Sequence, residues 1–369
     1  MPGEAPDWEP LLEGREAERA RDIVSEIAVA VRDLPPVAEM PCLRGATGRA
    51  LFLSYASSAG LADETDAVAL LESDLVTLFS EGCPVGFWYG YAGLRWALTH
   101  LVAEDDAAES VARIDTILSG AVDASPWNGP YDLAEGLAGM ALAYLAAPRP
   151  TESPALHCIL DHLEEVRETG TDRKALGCAH GLAGVIGAAA RAALAGVNAE
   201  RCRRILERTV PIVLSAADGE PNTGWCRGDA GLAVTVLAAA RASHSAAWED
   251  AAIELTHRAI RTARAQAPVD TCLCHGTAGL AHLFNRLHRA TGQDAFREAA
   301  LHFLRRTMDV RRPGEGAAGY TMFWPTPGEG RWVAATTLFA GVAGVGLALL
   351  AASTPIAPAW DSLLLADIS

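Results

Sequence analysis

A short glycine pattern recurs along the whole chain and restricts the folds that are open to it. Each copy reads G-x-x-G followed by an apolar run, as in HGLAGVIGAAA. The first glycines of the seven copies are Gly45, Gly90, Gly136, Gly181, Gly228, Gly276 and Gly341. The steps between them are 45, 46, 45, 47, 48 and 65 residues. Self-similarity at a near-constant period indicates a repeat architecture with one supersecondary unit in each repeat.

A period near 45 residues accommodates two helices and their connections. The segment after each G-x-x-G is almost wholly apolar, which predicts a helix buried on all sides. The segments between, such as CILDHLEEVRETG, are amphipathic and should keep one face in water. We therefore predict an all-α fold, a double-layered α/α toroid of seven helical hairpins. The glycines themselves we interpret as sites of tight backbone packing.

The whole chain, residues 1–369, is predicted to form one domain. Its repeats run from about residue 40 to 369, and a helical lead-in occupies residues 1–39. The net charge of -16 argues against nucleic acid as a partner. The N-terminus has neither a basic start nor an apolar core, so we expect a cytoplasmic protein. The uncharged run 332–360 repeats the G-x-x-G pattern and contains TPIAP, so we do not expect an integral membrane protein.

Residues that can carry chemistry cluster just before several of the G-x-x-G motifs. They are Asp132 in YDLAEG, His180 in GCAHG, Cys226 in GWCRG, and Cys274 with His275 in CLCHG. Because the repeats are equivalent, residues at similar distances before each G-x-x-G motif should lie at the same end of the fold. We call this shared position relative to the motif the register.

Two thiolates and one imidazole match a zinc site with three protein ligands and one open position. Cys226, Cys274 and His275 supply this set. A substrate thiol in the fourth position would have its pKa lowered by the metal and would stay nucleophilic beside two other thiolates. Thiol alkylation is therefore the chemistry that such a site would favour. The alternative is that these residues are ordinary core cysteines and a hydrogen-bonded histidine.

The other cysteines are predicted to be structural. Cys272 lies two residues before Cys274 and is a rival ligand, but it is farther from the helix start. We interpret the remaining five as small apolar residues. They are Cys42, Cys83, Cys158, Cys178 and Cys202.

His180 is a candidate proton shuttle at neutral pH, because the imidazole titrates in that range. It would take a proton from the incoming thiol or give one to the enolate that forms after addition. Asp132 could orient this histidine, and an Asp in this position could equally cap a helix.

At these motifs the chain resembles the lanthionine synthetase C-like family, called LanC, from about residue 42 to the end. The W-C-x-G and C-H-G motifs of the fifth and sixth repeats carry the resemblance. It implies a zinc ion on Cys226, Cys274 and His275, a catalytic His180 and an acidic partner at Asp132. It also implies a cyclase that adds cysteine thiols to dehydroalanine or dehydrobutyrine in a ribosomal precursor peptide, forming (methyl)lanthionine thioether rings in lanthipeptide antibiotic biosynthesis.

Two positions depart from the nisin-type pattern, where Arg precedes the first zinc Cys by four residues and Tyr follows it. This chain has Asn222 and Arg227 there, and both are candidate substrate contacts. We hypothesise that Arg227 supplies a guanidinium near Asp132.

The first G-x-x-G already begins at Gly45, so we expect a stand-alone cyclase. By resemblance its partners would be a dehydrated precursor peptide, a separate dehydratase and an exporter, and we expect a monomer. Three alternatives stay open at this point. They are a LanC-like protein that holds glutathione at zinc without cyclase activity, a metal-free helical scaffold, and a zinc prenyltransferase, against which the seven repeats and the two Cys ligands argue.

Overall fold

The computed structural model describes residues 8–34, 42–166, 173–217, 222–324 and 330–368. Residues 1–7 and 35–39 of the predicted lead-in therefore lie outside the described residues. The described helices are, in chain order, α1 (Gly14–Asp33), α2 (Ala46–Ser58), α3 (Glu64–Glu81), α4 (Tyr91–Leu101), α5 (Glu104–Val122), α6 (Leu137–Leu145), α7 (Pro154–Glu165), α8 (Arg173–Leu176), α9 (Leu182–Leu194), α10 (Ala199–Ala217), α11 (Asp229–Ser243), α12 (Ala246–Ala265), α13 (Thr277–Thr291), α14 (Asp294–Asp309) and α15 (Val342–Ser353). Two short strands, β1 (Met322–Trp324) and β2 (Arg331–Val333), lie between α14 and α15.

Seven of these helices begin at the residue directly after the first glycine of a G-x-x-G motif. They are α2, α4, α6, α9, α11, α13 and α15. In α6 and α15 nearly every residue is buried, as the apolar runs predict. The helices that alternate with them, such as α5 and α10, have one buried side and one exposed side. The predicted alternation of buried and amphipathic helices is therefore confirmed for the described residues.

The G-x-x-G glycines are needed because backbone comes too close for a side chain. A Cβ on Gly231 would collide with the carbonyl oxygen of Trp225, in the turn that precedes α11. On Gly184 it would come within 2.6 Å of the carbonyl oxygen of Cys178 and 3.1 Å of the Leu133 Cβ in the neighbouring repeat. The glycines thus let each helix start pack directly on the turn before it, as expected.

The chain divides into two compact units. The first unit comprises residues 1–80 and 263–360, and the second comprises 81–262 and 361–369. That the whole chain forms a single domain stays a prediction.

In the first unit the lead-in helix α1 packs on the last buried helix, α15. Just before α1, the indole Nε1 of Trp8 donates to the carbonyl of Ala351 at 2.7 Å, and the N–H of Leu12 donates to that of Ala352 at 2.8 Å. The buried helix of the seventh repeat, α15, therefore has the N-terminal helix α1 as its amphipathic partner. The sequence pattern predicted α1 only as a lead-in before the repeats.

The long sixth step, from Gly276 to Gly341, contains a hairpin that the sequence did not predict. Strands β1 and β2 pair antiparallel, with Met322 opposite Val333 and Trp324 opposite Arg331. This insertion contributes to the greater length of this step, 65 residues against 45 to 48 in the others. The uncharged run 332–360 contains α15, which has only 12 residues. Among the described residues, no helix has both the length and the apolar character needed to cross a membrane.

Candidate active site

The turns before the buried helices are joined to one another by backbone hydrogen bonds in the second unit. The N–H of Trp88 donates to the carbonyl of Ala134 at 2.9 Å, and Ala134 donates to Ala179 at 2.9 Å. Ala179 donates in turn to Cys226 at 3.3 Å. All four residues lie two positions before the first glycine of their repeat. The shared register that the sequence predicted therefore has a physical basis, since equivalent turns hold each other in place.

Asp132 and His180 are brought together by two neighbouring turns. The Oδ2 atom of Asp132 lies 3.7 Å from the Nδ1 atom of His180, and the two side chains are 15% and 23% exposed. The other carboxylate oxygen accepts the backbone N–H of Glu135 at 2.8 Å. Helix α6 has Gly136 as its N-cap residue, and no side chain caps its first turn. Asp132 thus caps the turn before the helix, not the helix itself, and it faces the imidazole as well.

The imidazole of His180 lies against an aromatic pair. The ring of Trp88 meets it edge-on at a centroid distance of 5.4 Å, and the ring of Trp225 lies 5.9 Å from that of Trp88. Trp225 is buried and its Nε1 donates to the carbonyl of Leu364 at 2.7 Å. The imidazole therefore has a fixed support, and Nε2 is the nitrogen directed away from Asp132.

Cys226 lies half-buried in the turn before α11, between the two positions that depart from the nisin-type pattern. Asn222 is exposed, and its Oδ1 accepts the N–H of Gly224 at 3.3 Å, so it shapes the start of this turn. Arg227 is exposed, and its side chain forms no ion pair with Asp132 in the described part of the chain.

Cys274 and His275 lie in the first unit, in the turn before α13. The Cys274 sulfur and a ring nitrogen of His275 lie within 4.8 Å of each other. Cys274 is half-buried and the His275 side chain is 42% exposed. A thiol and an imidazole at this spacing are ligands that zinc accepts.

A buried carboxylate that the sequence did not single out lies behind His275. The Oδ2 atom of Asp270 is 3.9 Å from the His275 Nε2. Cys272 belongs to the same cluster, because ligand atoms of Asp270, Cys272 and His275 all lie within 4.8 Å of one another. Burial raises the pKa of the Cys272 thiol, and the His275 side chain offsets this in part. The structural role that we assigned to Cys272 stays a prediction.

Arg44 is a second residue that the sequence analysis missed. Burial lowers the pKa of its guanidinium, and the charge of Cys274 offsets that effect in part. The guanidinium therefore lies close enough to Cys274 to interact with the charged form of that thiol. Arg44 directly precedes the first G-x-x-G, the register position of His180 and His275, so the register could have revealed it.

The remaining cysteines show no comparable cluster in the described residues. Cys42, Cys178 and Cys202 are buried as predicted, whereas Cys83 and Cys158 are half-buried. Burial raises the pKa of Cys202 to about 12.

The family model of lanthionine synthetase C-like proteins matches residues 36–365. The chain belongs to this family. The resemblance drawn from the motifs is thereby confirmed, and the LanC-like match includes every candidate site residue. Among solved structures, a nisin cyclase is similar with a TM-score of 0.68 and 16% identity, covering 95% of this chain and 97% of that one. This likeness shows the fold, and the predicted fold class, that of the LanC α/α toroid, is confirmed. No curated protein matches the chain.

Proposed function

We propose that this LanC-like protein is a peptide cyclase that forms lanthionine and methyllanthionine rings by adding cysteine thiols to dehydroalanine and dehydrobutyrine. The observation that carries the proposal is the His180–Asp132 pair, with Nδ1 and Oδ2 3.7 Å apart. A histidine oriented by a carboxylate is suited to proton transfer, which this addition requires. Membership of the family and likeness to a nisin cyclase support the reaction class.

We propose that Cys226, Cys274 and His275 together hold a zinc ion. The donor set fits this metal, because two thiolates and an imidazole leave one position for a substrate thiol. Cys274 and His275 already lie within 4.8 Å of each other, and Cys226 occupies the register position of Cys274 in the preceding repeat. When bound, zinc would lower the pKa of the substrate thiol and keep it as a thiolate.

In the proposed reaction the cysteine sulfur forms a bond to the β-carbon of the dehydrated residue. The electron pair of the carbon–carbon double bond moves to the α-carbon and its carbonyl as an enolate. The Nε2 atom of His180 then gives a proton to the α-carbon. The proton that the thiol loses passes through solvent to His180 and restores the protonated ring, so that one S–H bond is exchanged for one C–H bond. Asp132 faces Nδ1 of the same ring, so it can hold that N–H and stabilise the charged imidazole.

The substrate in this proposal is a dehydrated precursor peptide, supplied by a separate dehydratase and passed to an exporter. A net charge of -16 suits a neutral or cationic peptide. Asn222 and Arg227 are proposed contacts to it, and we place the reaction in the cytoplasm.

The test uses a synthetic peptide that carries one dehydroalanine and one cysteine a few residues apart. Ring formation leaves the mass unchanged and removes the free thiol, so alkylation with N-ethylmaleimide followed by mass spectrometry measures it. The protein should accelerate ring formation over the buffer rate, Cys274→Ala should abolish the acceleration, and His180→Ala should lower it about 100-fold or more. Cys202→Ala is the matched control, since this thiol is buried in α10. No acceleration together with tight binding of glutathione would overturn the cyclase proposal in favour of a thiol-binding protein.

A further inference from the structure

The carboxylate of Asp270 is fixed in place by backbone donors. Its Oδ1 accepts the N–H of Cys272 at 3.0 Å, and its Oδ2 accepts the N–H of Phe323 at 3.1 Å. The side chain is 1% exposed, whereas that of His275 is 42% exposed. A buried carboxylate with one donor on each oxygen has little freedom to turn.

The same carboxylate faces one particular nitrogen of His275. The distance from Oδ2 to Nε2 is 3.9 Å, which is longer than a hydrogen bond but within the range of an ion pair. A histidine that binds a metal through one nitrogen carries its proton on the other, and a carboxylate beside that second nitrogen fixes the tautomer and the ring orientation. Nδ1 is then the nitrogen left for the metal.

We propose that Asp270 is a positioning residue for the metal centre, which holds the His275 imidazole with Nε2 protonated and Nδ1 directed to zinc. The inference rests on the proposed function only in taking His275 as a zinc ligand. It concerns a residue outside the ligand set and outside the His180–Asp132 pair.

The hairpin of β1 and β2, between α14 and α15, takes part in this arrangement. Phe323 belongs to β1, and its neighbour Met322 receives a contact at 3.7 Å from the Oγ1 of Thr271, the residue after Asp270. The hairpin therefore contacts the segment that carries Asp270 at two neighbouring points of β1. Its role in the centre is to stabilise the orientation of one ligand without contacting the metal.

The variant that tests the proposal is Asp270→Asn. The amide keeps the size of the side chain but presents N–H groups where backbone and imidazole donors already point. The affinity for zinc, measured by competition with a chromogenic chelator, should fall about 10- to 100-fold. The matched control is Asp74→Asn, because Asp74 is also a buried carboxylate of the first unit that accepts backbone N–H groups, from Cys42 and Thr47. That variant should bind zinc with the affinity of the wild type.

Nitrogen NMR of zinc-loaded wild-type protein provides a test that needs no folded Asp270 variant. The resonances of His275, assigned by their loss in His275→Gln, should show a coordinated Nδ1 and a protonated Nε2. Coordination through Nε2 would overturn the proposal, as would unchanged zinc affinity in folded Asp270→Asn. A wild-type protein that binds no zinc would overturn the zinc centre as well, so the two failures are distinguishable.

Discussion

The Nδ1 atom of His180 lies 3.7 Å from the Oδ2 atom of Asp132, although 48 residues separate them in sequence. The contact results from stacked turns, since Ala134 and Ala179 hydrogen-bond to each other directly beside the two side chains. The geometry leaves Nε2 as the nitrogen that can exchange protons with a substrate.

Replacing His180 by Ala should lower the rate of ring formation about 100-fold or more, because general acid–base catalysis is removed. Zinc content should be retained, since His180 is outside the proposed ligand set. Asp132→Asn is the more selective change, because its amide oxygen can still accept the N–H of Glu135. We expect it to slow ring formation without loss of stability. Full activity in Asp132→Asn, measured by thiol alkylation, would show that the carboxylate does not act on His180.

The second glycine of a G-x-x-G motif should tolerate no side chain. Gly231→Ala places a Cβ against the carbonyl of Trp225 and within 3.0 Å of the Cys178 sulfur, so we expect a loss of about 1–3 kcal/mol in the free energy of unfolding. Gly120→Ala in α5 is the control, because nothing lies within 4 Å of that Cβ. Its better helix propensity should stabilise the protein by up to about 1 kcal/mol. Urea unfolding measures both, and equal effects would refute the packing argument.

The sequence predicted the starts of the buried helices well, because the need for glycine in each G-x-x-G motif depends only on neighbouring residues. A helix that packs on the turn directly before it needs glycine at that contact, so each motif marks a boundary. Because Asp132 and His180 both lie just before a G-x-x-G motif, the register predicted that they lie close together, although it does not specify the directions of their side chains. Arg44 shared that register and was overlooked.

The features that the sequence did not reveal depend on contacts between distant segments. Asp270 owes its position to Phe323, which lies 53 residues away in a hairpin without a periodic signal. The pairing of α1 with α15 joins the two ends of the first unit, and no local pattern encodes it. Such contacts become visible only when the chain is folded.

The ion pair between Arg258 and Asp229 should be a strong stabilising contact in the second unit. Both guanidinium–carboxylate hydrogen bonds are short, at 2.7 and 2.8 Å, and Asp229 is fully buried. Arg258→Ala leaves a buried carboxylate without its cation, and should cost about 3–5 kcal/mol. The exposed pair of Arg203 and Glu207 serves as the control, where Arg203→Ala should cost less than about 1 kcal/mol. Similar losses for both variants in urea unfolding would contradict the prediction.

His100 should make the protein less stable in acid. Burial lowers its pKa from 6.5 to about 4, with a smaller opposing effect from Asp361, and its ring stacks on Trp96 at 4.6 Å. Between pH 6.5 and about pH 4, the unfolded chain binds a proton at His100 and the folded chain does not. The stabilisation that the folded state gains from keeping His100 neutral is therefore complete above pH 6.5. As the pH falls to about 4, the free energy of unfolding decreases progressively, by up to about 3 kcal/mol.

The variant His100→Phe keeps an aromatic ring on Trp96 and removes the titration. Its free energy of unfolding should fall less than that of the wild type between pH 7 and pH 4. Urea unfolding across this range provides the comparison. Parallel pH dependences would mean that His100 accepts its proton in the folded protein.

The zinc content of the purified protein tests the central claim most directly. Elemental analysis should find about one zinc per chain in the wild type and in Cys202→Ala, and a loss of zinc in Cys226→Ala and in Cys274→Ala. Because Cys226 and Cys274 come from different repeats, loss in both would show that one ion depends on both thiolates. Zinc that persists in either variant, or a wild-type protein without zinc, would contradict the proposed thiol-activating centre.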